Sequence, residues 1–421
     1  MAFTRLKGFK DITGDEAVLF ERMERTARQV FTSFGFEEIR TPVLEEAALF
    51  SRALGTETDV VQKEMYEFTD RSQTRVAMRP EGTASVVRAY IENNFDKTKG
   101  LAKFFYMGPM FRSERPQAGR LRQFHQIGVE QLGTASPLSD AETIHCLTVF
   151  LDKAGVRGYK LRLNNLGTFE ERRHFKEELK KYFQPHLGAL CDDCRQRFEK
   201  NVFRLLDCKR ESCHKIVLKS PPLANYLVQE SKDHYTAVCE ALTAAGVAYE
   251  QDVYMVRGLD YYTKTVFEVS HPGLGAQDAV AAGGRYDALV ESFGGTPAGA
   301  VGFALGVERL LMCAEPSVQG GAETSFFVVA LGEAAMKEGF KIISWLRAEG
   351  LHASMDFSAK SMKSQMRSAD KSGSRYTFIL GDNELAKGVV VLKNLEIGAQ
   401  KEFPLDRQKL VEICKKPQLY F

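Results

Sequence analysis

No run of apolar residues in this sequence is long enough to cross a bilayer, which takes about 20 consecutive apolar residues as a helix. A helical membrane span is therefore not expected. The opening stretch, MAFTRLKGFKDITGDE, also lacks the apolar core of a secretory signal. A dominant charge of one sign is missing too. Lys and Arg number 57 against 55 Asp and Glu, a net charge of +2. That excludes a global basic attraction to nucleic acid, so any such contact has to come from local patches. Cysteines are few, eight in 421 residues. Without an export signal they are expected as reduced thiols, and the protein is expected in the cytoplasm. What is present suits a folded chain: 44% hydrophobic and 27% charged residues. Its length exceeds one ordinary domain and suffices for two or three.

The densest chemistry lies between Phe104 and Leu132. Phe104 to Met107 and Met110 to Arg112 read as strand pieces broken at Gly108-Pro109, with a return strand from Phe124 to Leu132. Strand side chains alternate between faces. Phe124, Gln126, Gly128 and Glu130 thus share one face, and His125, Ile127, Val129 and Gln131 share the other. The first face suits a small polar ligand better than a core. The intervening loop carries Arg112, Glu114, Arg115, Arg120 and Arg122, a density of guanidinium groups suited to phosphate. A solvated hairpin with arginines and glutamates paired among themselves is the plainer alternative.

Phe111-Arg112-Ser113-Glu114, followed by Arg122-Gln123-Phe124-His125-Gln126, resembles the second signature motif of class II aminoacyl-tRNA synthetases, in its histidyl form. The resemblance implies that Arg112 grips the α-phosphate of ATP, Glu114 faces the adenine amino group and Phe124 stacks on adenine. Arg120 joins this ATP-binding set.

Other segments add partners in order. Thr13-Gly14-Asp15-Glu16 has capping-box spacing, ahead of a helix whose Val18, Met23, Ala27, Val30 and Phe31 share a face. The strand-like run from Phe36 to Leu44 contains Pro42, which suits an edge or a strand end. It resembles the first class II motif, and that resemblance implies a homodimer. Arg79-Pro80-Glu81-Gly82-Thr83 sits at a strand-to-helix turn. Capping by Thr83 beside an exposed Glu81 is one reading. In the histidyl family this segment cradles the α-amino group, which implies histidine-binding roles for Glu81, Gly82 and Thr83.

Arg257-Gly258-Leu259-Asp260-Tyr261-Tyr262 matches a signature of the histidyl family. It implies that Arg257 binds the reacting phosphate and carboxylate, and that Tyr261 and Tyr262 line the histidine pocket. The glycines of Ala281-Ala282-Gly283-Gly284-Arg285-Tyr286-Asp287 allow close approach to a ligand, or mark a bulge. Ala300 to Leu310 resembles the third class II motif, which implies that Arg309 covers the adenine face opposite Phe124.

Between about Thr168 and Thr243 the character becomes charged and helical, resembling the insertion that this family places within its catalytic core. It holds Cys191, Cys194, Cys208 and Cys213, a spacing compatible with structural zinc. Reduced cysteines, with Leu205, Leu206 and Cys208 packing as a small core, are the plainer reading, and no metal ligand is assigned. Residues 315–323 read as a linker. Alternating strands and helices follow, with Lys360, Lys363, Arg367 and Lys371 as a basic stripe opposite Met362, Met366 and Ala369. This part resembles the family's anticodon-binding domain.

The expected fold is α+β: a class II antiparallel sheet with flanking helices in 1–167 and 244–320, a helical insertion in 168–243, and an α/β anticodon-binding domain in 325–421. The resemblance implies a two-step reaction on L-histidine, ATP with Mg²⁺, and tRNA. Arg112 and Arg257 would serve the chemical step. Glu130 would accept from an imidazole N–H, a tyrosine hydroxyl would meet the other ring nitrogen, and Gln126 would help with the ammonium. A histidine-binding regulatory paralogue without tRNA charging is the main alternative.

Overall fold

The computed structural model describes residues 3–421 except Glu57, 257–260, 276–277, 316–324 and Ala359. It divides into two compact units, Met1–Gly320 and Gly321–Phe421. In the first, strands β1 (Glu37–Glu38), β2 (Leu44–Glu46), β3 (Tyr66–Thr69), β4 (Arg75–Met78), β5 (Ala102–Phe111), β6 (Gln123–Leu132), β7 (Lys160–Asn165), β8 (Glu250–Gln251), β9 (Thr263–Ser270), β10 (Ala279–Arg285) and β11 (Ala300–Gly306) form two sheets. The larger runs β1-β5-β6-β11-β10-β9-β7-β8, and the smaller β2-β4-β3. Every pairing from β5 through β7 is antiparallel, and the short edge strands β1 and β8 pair in parallel.

Alternation along β6 separates the two faces of the large sheet. Ile127 and Val129 are fully buried against the helices Asp15–Ser33 and Pro137–Lys153, in a core with Phe31, Phe105, Phe150 and Phe303. Each such side chain contributes roughly 1.5–3 kcal/mol on burial. The opposite face, with Gln126 and Glu130, carries the site.

Several local expectations are corrected. The first helix begins at Asp15 with Gly14 as its N-cap at φ 58°, and no side chain caps it. Glu16, which would close a capping box on Thr13, pairs with Lys10 instead. Val18 is exposed and Phe20 takes its place in the core. The run from Phe36 to Leu44 is two short strands in different sheets, β1 and β2, with Pro42 between them.

Strand β5 is continuous through Gly108-Pro109. Arg79 explains why. Its Nε donates to the Pro109 carbonyl at 2.9 Å, and its own carbonyl accepts from Phe111 at 3.0 Å. The Pro109 nitrogen therefore faces away from β6, where no ladder bond is lost. Gly108 has φ 154°, and a Cβ there would meet the Arg79 guanidinium at 2.6 Å.

The second unit holds β12 (Ser325–Ala330), β13 (His352–Met355), β14 (Tyr376–Leu380), β15 (Val389–Asn394) and β16 (Gln400–Pro404), in the order β13-β12-β14-β15-β16. Of the basic stripe, Lys363, Arg367 and Lys371 are exposed on the helix Met362–Lys371. Lys360 precedes that helix and pairs with Asp356 at 3.2 Å. Met362 is exposed, while Gln365 is fully buried and bonds both the N–H and the carbonyl of Ala330. An amide can satisfy a backbone N–H and a carbonyl together, which an apolar side chain cannot.

A fully buried Arg285 locks the end of β10. Its guanidinium donates to Asp140, to Asp287 at 2.8 Å, to Ser139 at 2.9 Å, and to the carbonyls of Thr134 and Ser136, each at 3.1 Å. His234 joins Asp140 from the helix Gln229–Ala244 at 2.9 Å. Burial pushes the Asp140 carboxyl up, but the His234 hydrogen bond and the Arg285 charge more than offset it and hold it below its ordinary value. Its stabilisation is thus present at neutral pH and is lost as the pH falls through the lowered value.

Asp140→Asn leaves the buried guanidinium with Asp287 as its remaining carboxylate, and breaking a buried pair costs up to roughly 3–5 kcal/mol. Denaturant unfolding of the first unit, followed by hydrogen exchange at β10, should begin at clearly lower denaturant. The sole tryptophan, Trp345, sits in the second unit and reports that unit as a control. An unchanged first-unit midpoint would mean the pair is dispensable.

Candidate active site

A cavity of about 1160 Å³ opens on the polar face of the large sheet. β6, β10 and β11 form its floor. The turn at Glu81–Thr83, the loop from Arg112 to Leu121 and the helix Val307–Cys313 contribute to its walls, as does the segment between Asp193 and Leu218.

One end is built around Glu130, which is 1% exposed. One carboxylate oxygen accepts from Thr83 Oγ1 at 2.7 Å, and the other accepts from the Tyr286 hydroxyl. Burial, the largest influence, pushes its pKa up to about 8 against these two hydrogen bonds, and Glu81 adds to the rise. Space for this carboxylate comes from Gly302 on β11, where a Cβ would land on it. Tyr106 of β5 packs beside it. A Cβ at Gly82 would strike its ring, and one at Gly128 would meet its hydroxyl at 2.5 Å.

Glu81 is 3% exposed, and its two oxygens accept from the backbone N–H groups of Thr83 (2.7 Å) and Ala84 (2.9 Å). It caps the helix Thr83–Glu92, in place of the Thr83 cap with exposed Glu81. A carboxylate at a helix N-terminus meets both free amides and the positive end of the dipole. Burial raises its pKa against those amides. Gln126 is buried, and its Oε1 has no hydrogen-bond partner among the described residues. An unpartnered amide oxygen lining a cavity is a donor-seeking group. Tyr261 and Tyr262 are buried with ring centroids 4.6 Å apart, and Tyr286 lies 5.6 Å from Tyr261.

The other end is cationic and aromatic. The Arg112 guanidinium lies 5.3 Å from the Phe124 ring centroid, and its Nε donates to the Pro80 carbonyl at 2.9 Å. Glu114 takes Arg120 at 3.0 Å and sits 3.9 Å from Arg112. Arg309 donates through Nε to the Ala279 carbonyl at 2.8 Å, and Gly119 of the loop lies close enough that a Cβ would touch Arg309 at 3.2 Å. Glu308, its neighbour, pairs with His125.

Thus Glu81, Thr83, Arg112, Glu114, Arg120, Phe124, Gln126, Glu130, Tyr261, Tyr262 and Arg309 all line one cavity. Gly82 stands beside it, under Tyr106. Arg257 lies outside the described residues. Tyr286 was given no role from sequence, nor was Arg285, which holds it in place. In the sequence, the Gly-Gly-Arg-Tyr run stands out only for its glycines. Those serve packing: a Cβ at Gly283 would meet Phe267 and Phe303, and one at Gly284 would meet Tyr262.

Comparison with known proteins finds relatives along nearly the whole chain. A family model described as histidyl-tRNA synthetase matches residues 8–310, and one described as anticodon binding domain matches residues 325–416. The chain is 44% identical over 409 residues to a histidine–tRNA ligase of Thermotoga petrophila, covering 96% of this chain and 97% of the relative. Identity is also 44% over 408 residues to that of Geobacter sulfurreducens, covering 97% and 98%. Among solved structures, apo histidyl-tRNA synthetase of Staphylococcus aureus matches with a TM-score of 0.80 at 32% identity, covering 99% of this chain and all of the other. A Bacillus halodurans chain described as an ATP phosphoribosyltransferase regulatory subunit/histidyl-tRNA synthetase matches in fold alone, with a TM-score of 0.66 at 18% identity. With a family model spanning most of its length and relatives this similar from end to end, the chain belongs to the histidyl-tRNA synthetases.

Proposed function

We propose that this protein activates L-histidine with ATP, forming histidyl-adenylate and pyrophosphate, and then transfers histidine to the 3′ end of its tRNA. The observation that carries this reading is a single cavity with two chemically distinct ends. Buried acidic and amide groups stand at one end, and guanidinium groups with an aromatic ring stand at the other.

The first end suits histidine. Glu130 accepts from an imidazole N–H, and a tyrosine hydroxyl meets the second ring nitrogen, Tyr286 being placed for this as well as Tyr261 and Tyr262. Glu81, Thr83 and the Gln126 side-chain oxygen receive the ammonium. A buried acceptor left unmatched discriminates strongly against side chains that lack a donor. The second end suits the nucleotide. Phe124 and Arg309 enclose adenine, Glu114 faces its amino group, and Arg112 with Arg120 holds phosphate oxygens.

The attacking carboxylate is already ionised at neutral pH, so the first step needs no enzyme base. It needs two anions held together and the charge growing on phosphorus stabilised. Arg112 provides both, and Arg257 is proposed to share the task. Mg²⁺ would neutralise the pyrophosphate. Among the described residues no three carboxylates converge on a metal site, so the ion is proposed to be held largely by phosphate oxygens.

Residues 168–243 are proposed to act as an insertion over the acceptor end, and the second unit to bind the anticodon region, helped by phosphate contacts of Lys363, Arg367 and Lys371. A homodimer is proposed from the first motif. Leu44 and Phe68 lie exposed on the small sheet nearby, an apolar surface that a second copy would cover. The cytoplasm is the proposed compartment.

The full chain should support histidine-dependent exchange between pyrophosphate and ATP, and should charge tRNA. Histidine binding without either activity would establish the regulatory alternative. Arg112→Ala should slow single-turnover adenylate formation at saturating histidine and ATP by about 10²–10³. Arg112→Lys should recover little, because it keeps the charge without the planar fork. Wild-type rates in both variants would reduce Arg112 to a ground-state contact.

A further inference from the structure

Cys191, Cys194, Cys208 and Cys213 come from three separate pieces of chain. Cys191 and Cys194 stand at the start of the helix Asp192–Lys200, Cys208 lies in the turn after it, and Cys213 belongs to the helix Glu211–Val217. Their four sulfur atoms lie within 4.8 Å of one another, the Cys191–Cys208 pair at 4.0 Å. All four thiols are free, and three of the residues are buried.

A tetrahedral Zn–S₄ centre has Zn–S bonds of about 2.3 Å, which sets sulfurs about 3.8 Å apart. Four sulfurs within 4.8 Å need only a small contraction to meet that geometry. A reduced apolar core has no reason to gather its sulfurs pairwise. The Cys191 backbone N–H also donates to the Cys213 sulfur at 3.3 Å, the kind of outer hydrogen bond that steadies a thiolate ligand. The surrounding segment consists of short helices and turns from Gln184 to Tyr226. So small a lobe commonly draws stability from a metal or from disulfides.

We propose that these four cysteines bind one structural zinc ion. The zinc fixes the lobe at the cavity mouth. Cys208 itself lines the cavity, along with Arg204, Lys209, Arg210 and His214. Pinning Cys208 therefore holds this cationic rim in position over the bound substrates.

The full chain, purified without chelator, should contain about one zinc per chain by elemental analysis. Replacement with Co²⁺ should give sulfur-to-cobalt charge-transfer absorption and the visible bands of a tetrahedral thiolate site. Cys194→Ser and Cys213→Ser should lose the metal and the bands. Cys239→Ser, outside the cluster, should keep both. Should a cluster variant fail to fold, the cobalt spectrum of the wild-type chain decides alone. Absence of both zinc and a tetrahedral cobalt spectrum in the wild-type chain overturns the proposal. Two disulfides among the four cysteines overturn it equally.

Discussion

A carboxylate buried in the open face of a sheet sets the terms for much of this structure. Glu130 is removed from water, so every lone pair it offers has to be met by protein or ligand. Thr83 and Tyr286 meet part of that demand. Gly302 must lack a side chain for the carboxylate to fit. The cost appears in its raised pKa. The folded protein holds this proton up to about pH 8, whereas the ordinary value is 4.5. Between those values the folded state binds more protons than the unfolded chain, so this group lowers stability as the pH rises. Sites that select polar ligands accept such costs, because a buried group with no partner is what penalises the wrong ligand.

The rest of the first unit supports that arrangement from several sides. Glu81 fixes the start of the helix that carries Thr83, through two amide hydrogen bonds. Arg285 ties the end of β10 to the Pro137–Lys153 helix and, through Asp287, to the first residue of β11. Tyr286, next in sequence, is thereby held where its hydroxyl reaches Glu130. The antiparallel register of β6 and β11 sets Gly302 opposite Glu130. Nucleotide-side residues ride on the β5–β6 loop and the helix after β11, so both ends of the cavity share one scaffold.

Much of the fold and most of the candidate site were legible in the sequence. Period-two alternation on β6 separated Gln126 and Glu130 from Ile127 and Val129 because the strand is half core and half cavity. The motif resemblance singled out Arg112, Arg120, Arg309, Tyr261 and Tyr262, which line the cavity; Arg257 lies outside the described residues. What is not legible in the sequence depends on contacts distant along it. Arg285 is explained by Asp140, 145 positions away. Tyr286 is explained by Glu130, and the continuity of β5 at Pro109 by Arg79. Val18 and Phe20 exchanged places because a helix face is defined by what packs on it, and that is not local information. Lys360 falls outside its helix because Ser361 is the N-cap. The strand Gln400–Pro404 is not legible in the sequence. Its burial pattern is almost wholly exposed, so it carries little hydrophobic signal.

The central claim is that Glu130 reads the imidazole, and it is tested most directly by calorimetric titration of L-histidine into the wild-type chain and Glu130→Gln, with ATP titrated into each as a control for folding. Leaving a buried imidazole N–H without a well-placed acceptor costs roughly 1–3 kcal/mol. Histidine affinity should therefore fall about 10- to 100-fold while ATP affinity stays unchanged. Equal histidine affinity in the two proteins would contradict the account.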